Sequence, residues 1–334
     1  MSGNSYGLIE TMAYQFINKI KNDPQRNIRN SVNMALNFSN GRFQREFLNS
    51  AQNILKNEHS AYYGLIWDAV NNVDTQKLVT FGMNIGYNSC TKGAEIIRRT
   101  EAEKGFDIPW SMTLETDESN FVRYEENYRK IIADGKKLGI FTWFVFAEGN
   151  PQYLIDIIRE NRDCAFIVFC EAGTFGRTFI DKADKLENIM LCIKYANGAA
   201  ELCERLRQRK MLYSVYITYN DKNTSDFFNN ILLNRIEFFH PALTVAVPDK
   251  SCSDMTKGAV YRHIQNLRTK ENFSTVLWEF YYDSLYIDNI ISDGLCAAVI
   301  DKNGLIRCMY NTEEKSADCF SQKLEASLRM LFPK

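Results

Sequence analysis

The stretch DIPWSMTLETDESNFVRYEENYRKIIADGKKLGIFTWFVFAEGNP (107–151) decides the fold class of this chain. It holds a short apolar run in PWSMTLE (109–115), an amphipathic stretch in YEENYRKIIADGKKLG (124–139) and a second apolar run in FTWFVFA (141–147). Apolar runs of this length predict β-strands, and the stretch between them is long enough for a right-handed crossover helix. The segment therefore predicts two parallel strands joined by a helix.

The same alternation continues as far as residue 282. Five more apolar runs follow, namely AFIVFC (165–170), IMLCIKY (189–195), LYSVYIT (212–218), ALTVAV (242–247) and TVLWEFYY (275–282). Helix-like segments such as GAAELCERLRQRK (198–210) lie between them. Continuous apolar strands joined by helices are typical of a parallel sheet that is buried on both faces. We therefore predict an α/β fold, either a barrel or a doubly wound sheet.

Two segments flank this alternating region. Apolar residues recur at helical spacing from Leu8 to about Asn72, with breaks at Pro24 and Ser-Asn-Gly (39–41), which predicts two or three helices. These helices would cover one end of a barrel or serve as a dimer interface. After the last strand, CAAVIDKNGLIRCMY (296–310) places Asn-Gly between two apolar runs, the strongest short signal for a β-hairpin. A closing helix is predicted from Ser316 to Leu331. We expect three parts: a helical segment (1–105), a barrel (106–290) and a hairpin with a helix (291–334).

Composition excludes several functional classes. The 334 residues include 40 basic and 41 acidic side chains, and no long run of Lys or Arg occurs. Nucleic acid and anionic membranes are therefore not expected partners. No run of eighteen apolar residues and no signal-peptide pattern is present, so we expect a cytoplasmic protein. The nine Cys are an odd number spread singly, which predicts reduced thiols.

Several motifs carry a family resemblance. Asp-Ile-Pro-Trp (107–110) is similar to an Asn-Ile-Pro-Trp motif that leads into a first barrel strand, and the helix 124–139 is similar to a helix that begins with Ser-Phe-Glu-Glu. Further along, Glu279–Ser284 resembles Asp-Phe-Trp-Asn-Asp-Gly, and Asn303–Cys308 resembles Asn-Gly-Asp-Val-Glu-Pro-Cys. In this order, and over most of the chain, the segments resemble the radical S-adenosylmethionine (SAM) enzymes with a helical N-terminal extension and a C-terminal segment of the SPASM type. The resemblance implies a partial or complete TIM-like (β/α) barrel.

The resemblance also points to a SAM site that has drifted. After its second strand the family has Gly-Gly-Glu-Pro, which holds the amino group of SAM, and this chain has Glu-Gly-Asn-Pro (148–151). After the third strand the family's Thr-Asn-Gly-Thr is replaced by Glu-Ala-Gly-Thr (171–174), and after the fourth its Ile-Ser-Val-Glu-Gly is replaced by residues 193–198. SAM is therefore a possible ligand of this chain, and no cofactor is expected.

The iron–sulfur motif of the family is missing. Radical SAM enzymes carry Cys-x3-Cys-x2-Cys after the first strand, which binds three irons of a [4Fe–4S] cluster. Here only TDESNFVR (116–123) separates Glu115 from the helix that starts near Tyr124, and no Cys occurs between Cys90 and Cys164. The sequence therefore predicts that the cluster is absent and that SAM is not cleaved reductively.

Residues that follow the strands form the predicted ligand site, because barrels of this type bind ligands at the carboxyl ends of their strands. These residues are Asp117, Glu148, Gly149, Asn150, Glu171, Asn197, Tyr219 and Asp283. Such acidic and amide groups suit a cationic or polyhydroxylated molecule. Glu148, Glu171 and Asp283 are the catalytic candidates, since neighbouring carboxyls whose pKa values differ can do acid–base chemistry. Solvated loop carboxylates are the alternative interpretation.

Three C-terminal cysteines are the metal candidates. Cys296, Cys308 and Cys319 lie where the related enzymes supply ligands to auxiliary clusters, but Cys-x11-Cys-x10-Cys lacks the close pair that is typical of structural zinc. We expect a packed remnant rather than a metal site.

These observations favour a pseudoenzyme: a cluster-less barrel that binds a small molecule, a peptide or a protein partner such as an active radical SAM enzyme. One alternative is a non-radical enzyme that kept SAM or another small substrate. Another is a purely structural partner of an active radical SAM enzyme. An open, polar-lined barrel mouth favours binding, and a mouth filled by bulky side chains favours the structural role.

Overall fold

The computed structural model describes residues 3–39, 41–174, 176–292, 294–309 and 315–334. The chain divides into two compact units. The first comprises Met1–Asn40, Gln44–Val79 and Cys192–Asp283, and the second comprises Gly41–Phe43, Thr80–Leu191 and Ser284–Lys334.

The N-terminal part of the described chain is helical. Its elements are α1 (Gly3–Asn22), α2 (Pro24–Phe38), α3 (Arg42–Ile54), α4 (Tyr62–Asn72), α5 (Thr75–Met83), a π-helix (Asn84–Gly93) and α6 (Ala94–Lys104). Four helices therefore lie where two or three were predicted. Pro24 does begin a helix, because its fixed φ and missing N–H suit the first turn. The break that the sequence analysis missed is the turn at 55–61, which contains neither Pro nor Gly. Asn40, in the predicted break at 39–41, lies outside the described residues.

Ten strands lie in the described residues. They are β1 (Ser111–Asp117), β2 (Thr142–Glu148), β3 (Ala165–Cys170), β4 (Ile189–Lys194), β5 (Tyr213–Tyr219), β6 (Leu243–Pro248), β7 (Val276–Glu279), β8 (Ala298–Ile300), β9 (Leu305–Cys308) and β10 (Ser316–Asp318). The remaining helices are α7 (Glu118–Arg123), α8 (Glu125–Leu138), α9 (Ile155–Glu160), α10 (Arg177–Ala183), α11 (Ala199–Gln208), α12 (Ser225–Phe228), α13 (Ile231–Glu237), α14 (Asp254–Lys270), α15 (Phe280–Ile291) and α16 (Leu324–Leu331).

Most strand pairs are parallel, as the alternation predicts. In the second unit the strand order is β10-β9-β8-β1-β2-β3, with β1 parallel to β2 and β8, and β2 parallel to β3. In the first unit β6 lies between β5 and β7 and is parallel to both. The predicted α/β fold class is confirmed.

Helix α8 shows how these strands are covered. Its buried face carries Tyr128, Ile131 and Leu138, spaced for one side of a helix. Gly135 lies on the same face against the indole of Trp143 in β2, and a Cβ there would come within 2.7 Å of the ring. The close approach of helix and strand therefore requires glycine at position 135.

The C-terminal part contains the predicted hairpin. Strands β8 and β9 pair antiparallel around the Asp301–Gly304 turn, where Gly304 has a φ of 85°. The closing helix, however, begins at Leu324 rather than Ser316, because Ser316–Asp318 form β10 and pair antiparallel with β9. The Asp318 carboxylate then accepts from the backbone N–H of Phe320 at 2.8 Å and turns the chain. Tyr310, the last residue of the predicted hairpin segment, lies outside the described residues.

No helix in the described part of the chain is both long enough and apolar enough to cross a membrane.

Candidate functional site

The end of β1 is occupied by a helix cap. Strand β1 ends at Asp117 and α7 begins at the next residue. The Asp117 carboxylate accepts from the backbone N–H of Asn120 and from the Ser119 hydroxyl, both at 2.8 Å. The bond from the Asn120 N–H, first among several, holds the pKa of Asp117 well below its ordinary value. One oxygen of this carboxylate, Oδ1, therefore caps the first turn of α7.

These residues do not fit a [4Fe–4S] cluster. Such a cluster needs three thiolates on one loop, whereas the segment 116–123 offers hydroxyl, carboxylate and amide groups in a capped helical turn. The position at which the radical SAM resemblance would place a cluster therefore offers oxygen and amide groups and no thiolate.

Aromatic packing holds the turn in place. The buried ring of Phe121 stacks on Tyr128 at 4.9 Å and contacts the tilted ring of Tyr153 at 5.1 Å. The Tyr153 hydroxyl shares a hydrogen bond of 2.8 Å with Thr116 of β1, and burial raises the pKa of Tyr153. The aromatic contacts and this hydrogen bond thus hold the turn after β1 in a packed arrangement.

Lys302, in the hairpin turn, joins the ends of β1 and β2. Its Nζ lies 3.3 Å from Asp117 Oδ2 and 3.2 Å from Glu148 Oε2. The hydrogen bond to Glu148, followed by that to Asp117, raises the pKa of Lys302. The structure therefore places Asp117 and Glu148 in register at the ends of two parallel strands, with a cation between them that the sequence analysis did not include.

A second cation of the hairpin reaches the same sheet. The Arg307 Nη2 lies 3.4 Å from Glu115 Oε2. Glu115 pairs in register with Phe146, which in turn pairs with Phe169, so the three side chains share one face. The two phenyl rings stack at 4.2 Å. This face of the sheet therefore combines a stacked, largely buried aromatic pair with paired charges.

The remaining predicted residues of the second unit form turns. Gly149 has a φ of 76°, and a side chain there would be strained although the surrounding space is open. The Asn150 side chain accepts from the backbone N–H of Gln152 at 3.2 Å and caps the 3₁₀ turn Pro151–Leu154. Glu171 is exposed just after β3, and its carbonyl accepts from Thr174. Glu148 and Glu171 are thus exposed carboxylates, unlike a buried acid–base pair.

In the first unit, Tyr219 and Asp283 belong to one network. The Tyr219 hydroxyl donates to Glu279 Oε1 at 2.7 Å, and the Glu279 backbone N–H donates to Asp283 Oδ2 at 2.8 Å. Asp283 also accepts from Arg268 Nη2, at 2.9 and 3.0 Å to its two oxygens. Asn197 lies exposed in the turn before α11 and makes no hydrogen bond to a residue that the structure describes.

Glu279 is the group that sequence reasoning missed. It is the last residue of β7 and fully buried, and its Oε2 accepts from the backbone N–H of Tyr282 at 2.6 Å. Burial raises the pKa of Glu279 to about 7. Its carboxyl can therefore gain or lose a proton near neutral pH. The available signal was a single acid inside the apolar run TVLWEFYY.

The C-terminal cysteines are mostly buried. Cys296 and Cys319 are inside the second unit and Cys308 is partly exposed. Burial raises the pKa of the Cys319 thiol to about 11, and the Cys296 sulfur lies 3.1 Å from the Ser292 hydroxyl. Among the described residues, no three His, Cys, Asp or Glu side chains are arranged to hold a metal ion.

Comparison with known proteins gives a structural match only. No family model and no curated protein matches the sequence. Streptococcus suis SuiB, a radical SAM enzyme, has a similar fold in its structure bound to S-adenosylmethionine, with 10% identity, a TM-score of 0.51 and coverage of 69% of this chain and 66% of SuiB. The structure of SuiB bound to the precursor peptide SuiA matches with 9% identity, the same TM-score and the same coverage. The match thus spans slightly less than two thirds of SuiB, and it shows a radical-SAM-like, TIM-barrel-like fold.

Proposed function

We propose that this chain is a cluster-less radical-SAM-like pseudoenzyme that acts by binding. The observation that carries the proposal is the end of β1, where Asp117 caps α7 in place of a cysteine loop. Reductive cleavage of SAM needs a cluster with one iron left free for SAM, and the residues at this position supply no thiolate. We also propose that the protein works in the cytoplasm.

Iron and sulfide analysis after anaerobic reconstitution tests this proposal. We expect no stoichiometric iron and no visible charge-transfer absorbance. The matched control replaces Cys296, Cys308 and Cys319 with Ser, because iron that disappears in this variant belongs to the C-terminal cysteines. A full cluster complement in the wild type would overturn the proposal, and its persistence in the triple variant would place the cluster away from the C-terminal cysteines.

The ligand we propose is a small molecule or a peptide at the carboxyl ends of β1 and β2. Support comes from the carboxylates Asp117 and Glu148, from the partial Glu-Gly-Asn-Pro motif, and from the SuiB structures, which hold SAM or a precursor peptide. SAM is the first probe. If it is the ligand, SAM raises the melting temperature of the wild type and less so that of Glu148→Gln, whereas Glu118→Gln, an exposed neighbour, behaves as wild type. If SAM changes the melting temperature of neither the wild type nor a variant, SAM is excluded as the ligand and peptides are the next candidates.

The third possible ligand is a protein partner, such as an active radical SAM enzyme. A purely structural role would use the same contact with that partner. The half-buried Phe146 at the end of β2, which stacks on the buried Phe169, supports a partner contact at these strand ends. A partner that binds equally well when Asp117 and Glu148 are both replaced would support the structural role.

A non-radical enzyme is the second candidate, and Glu279 is the observation that favours it. A buried carboxyl with a pKa of about 7, next to a tyrosine hydroxyl, has the properties of a general acid or base. Asp283 is the less suitable candidate because Arg268 neutralises it. SAM consumption, followed chromatographically over pH 5 to 9, should then show a midpoint near 7 and be lost in Glu279→Gln. The absence of turnover at every pH would remove this candidate.

A further inference from the structure

A groove lined by amide side chains lies between α1 and α2 of the first unit. Its volume is 360 Å³, within the range of ligand-binding cavities. Four asparagines of α2, at positions 27, 30, 33 and 37, line one side, and Phe16 and Met34 supply apolar surface.

The position of these asparagines on a helix is unusual. Their spacing of three, three and four residues places them on one face of α2. Asparagine is among the weaker helix formers, and solvated helix faces are more stable with Lys, Glu or Arg. Helix α2 nevertheless has no acidic residue along this face. Helix stability alone therefore does not account for the amides.

Two of the four amides are held in place and two are available. The Asn27 Nδ2 donates to the Lys19 carbonyl at 2.8 Å, and Asn33 Oδ1 accepts from Gln52 at 2.8 Å. The side chains of Asn30 and Asn37 are exposed and make no hydrogen bond within the described part of the chain. The groove thus offers two unsatisfied donor–acceptor pairs.

We infer that this groove binds an extended peptide, with the amides of Asn30 and Asn37 pairing to its backbone and one apolar side chain resting on Met34. A primary amide presents an N–H donor and a C=O acceptor side by side, as the N–H and C=O of a single residue do in an extended chain. The seven positions from Asn30 to Asn37 rise about 10 Å along the helix, which matches roughly three residues of extended chain. Lys19, the charged residue of the lining, favours a peptide with an acidic residue. The inference rests on the proposed binding function but places the peptide on the helices.

Selection of peptides on the full-length chain tests the inference. A phage library of random linear twelve-residue peptides is the probe, and the affinity of the best binder is then measured by fluorescence anisotropy. We expect binding to weaken about tenfold or more in Asn30→Ala/Asn37→Ala. Asn49→Ala, an exposed asparagine of α3 outside the groove, is the matched control and should bind as the wild type does. Since alanine favours helix, the double variant should melt no lower than the wild type.

A separate measurement tests whether the amides bind the peptide backbone. Methylating the backbone nitrogens at the centre of the selected peptide should weaken binding to the wild type as much as the double substitution does. Equal affinity for wild type and double variant, or a library that yields no binder, would overturn the inference. Binding that is instead lost in Asp117→Asn/Glu148→Gln would overturn it while supporting the proposed site at the strand ends. Stoichiometric iron would refute the pseudoenzyme without affecting the groove result.

Discussion

At the scale of single residues, two carboxyls have opposite surroundings. Glu279 is fully buried and its pKa is raised to about 7, whereas hydrogen bonds to Asn120 and Ser119 lower the pKa of Asp117. Burial disfavours the charged form, and hydrogen bonds to the carboxylate favour it. One carboxyl therefore stabilises the folded protein most when it is protonated, the other when it is ionised.

The raised pKa of Glu279 predicts that the free energy of unfolding depends on pH. Its pKa is higher in the folded protein than in the unfolded chain, where it is about 4.5, so the folded state holds the proton more tightly. The free energy of unfolding should fall as pH rises from about 4.5 to 7, by up to about 3 kcal/mol, and level off above. Urea unfolding at pH 5, 6, 7 and 8 measures this, and Glu279→Gln should flatten the curve.

The control for this experiment is Glu101, in the second unit. It is also buried, its pKa is also raised to about 7, and Lys334 lies 3.3 Å away. Glu101→Gln should remove its own share of the slope with the same sign. If the curve of Glu279→Gln has the wild-type slope, Glu279 is ionised in the folded protein at every pH measured.

The helix cap formed by Asp117 is predicted to stabilise the folded protein. Asp117→Ala removes the acceptor for the first turn of α7 and should lower the free energy of unfolding by about 1 kcal/mol, within a range of about 0.5 to 2. Asp117→Asn should retain most of the stability because the amide oxygen still accepts. Chemical denaturation measures both, with the exposed Glu118→Ala as control. Equal stability of Asp117→Ala and the control would show that the cap contributes nothing.

At the scale of elements, the contact between α8 and β2 depends on a residue without a side chain. Gly135 lies against the Trp143 indole, and a methyl group there would be 2.7 Å from the nearest ring carbon. Helix propensity favours alanine over glycine by about 1 kcal/mol, and overpacking costs about 1 to 3 kcal/mol. At this site the second effect is the larger because the indole is enclosed.

A pair of identical substitutions tests that balance. Gly135→Ala should lower the melting temperature, whereas Gly7→Ala, in α1 where nothing lies within 4 Å, should leave it unchanged or raise it. Thermal unfolding of both variants gives the comparison. A stabilising Gly135→Ala would mean that α8 moves away from β2 at little cost.

At the scale of the whole molecule, the C-terminal hairpin completes the sheet of the second unit. Strand β1 has β2 on one side and β8 on the other, and Lys302 and Arg307 from the hairpin neutralise carboxylates of β1 and β2. The C-terminal segment thus contributes strands and cations to the sheet of the second unit.

We expect that removing this C-terminal segment prevents the chain from folding. A chain that ends after Ile291 lacks the fully buried Ile300, Ile306 and Leu328 and leaves β1 as an unpaired edge. Exposed edges and apolar faces lead to aggregation. We expect aggregates in size-exclusion chromatography and rapid proteolysis, with the full-length chain as control. A monomeric, protease-resistant fragment would show that β8 is dispensable.

Local patterns in the sequence determined the elements. Apolar runs and the stretches between them predicted the strands and the parallel α/β fold, and Asn-Gly predicted the hairpin. The mistakes lie where the signal is weak: the turn at 55–61, without Pro or Gly, and Ser316–Asp318, too short for periodicity to distinguish strand from helix. The missing cysteine motif is also a property of the sequence alone.

Only the tertiary structure decided the chemistry of the sites. Lys302 meets Glu148 across 154 positions of the chain, and no local pattern encodes that contact. Glu279 owes its raised pKa to burial, which depends on what packs around the end of β7, while Glu148 and Glu171 are exposed. A pKa and an ion pair follow from the surroundings of a side chain, and those surroundings exist only once distant segments have packed together.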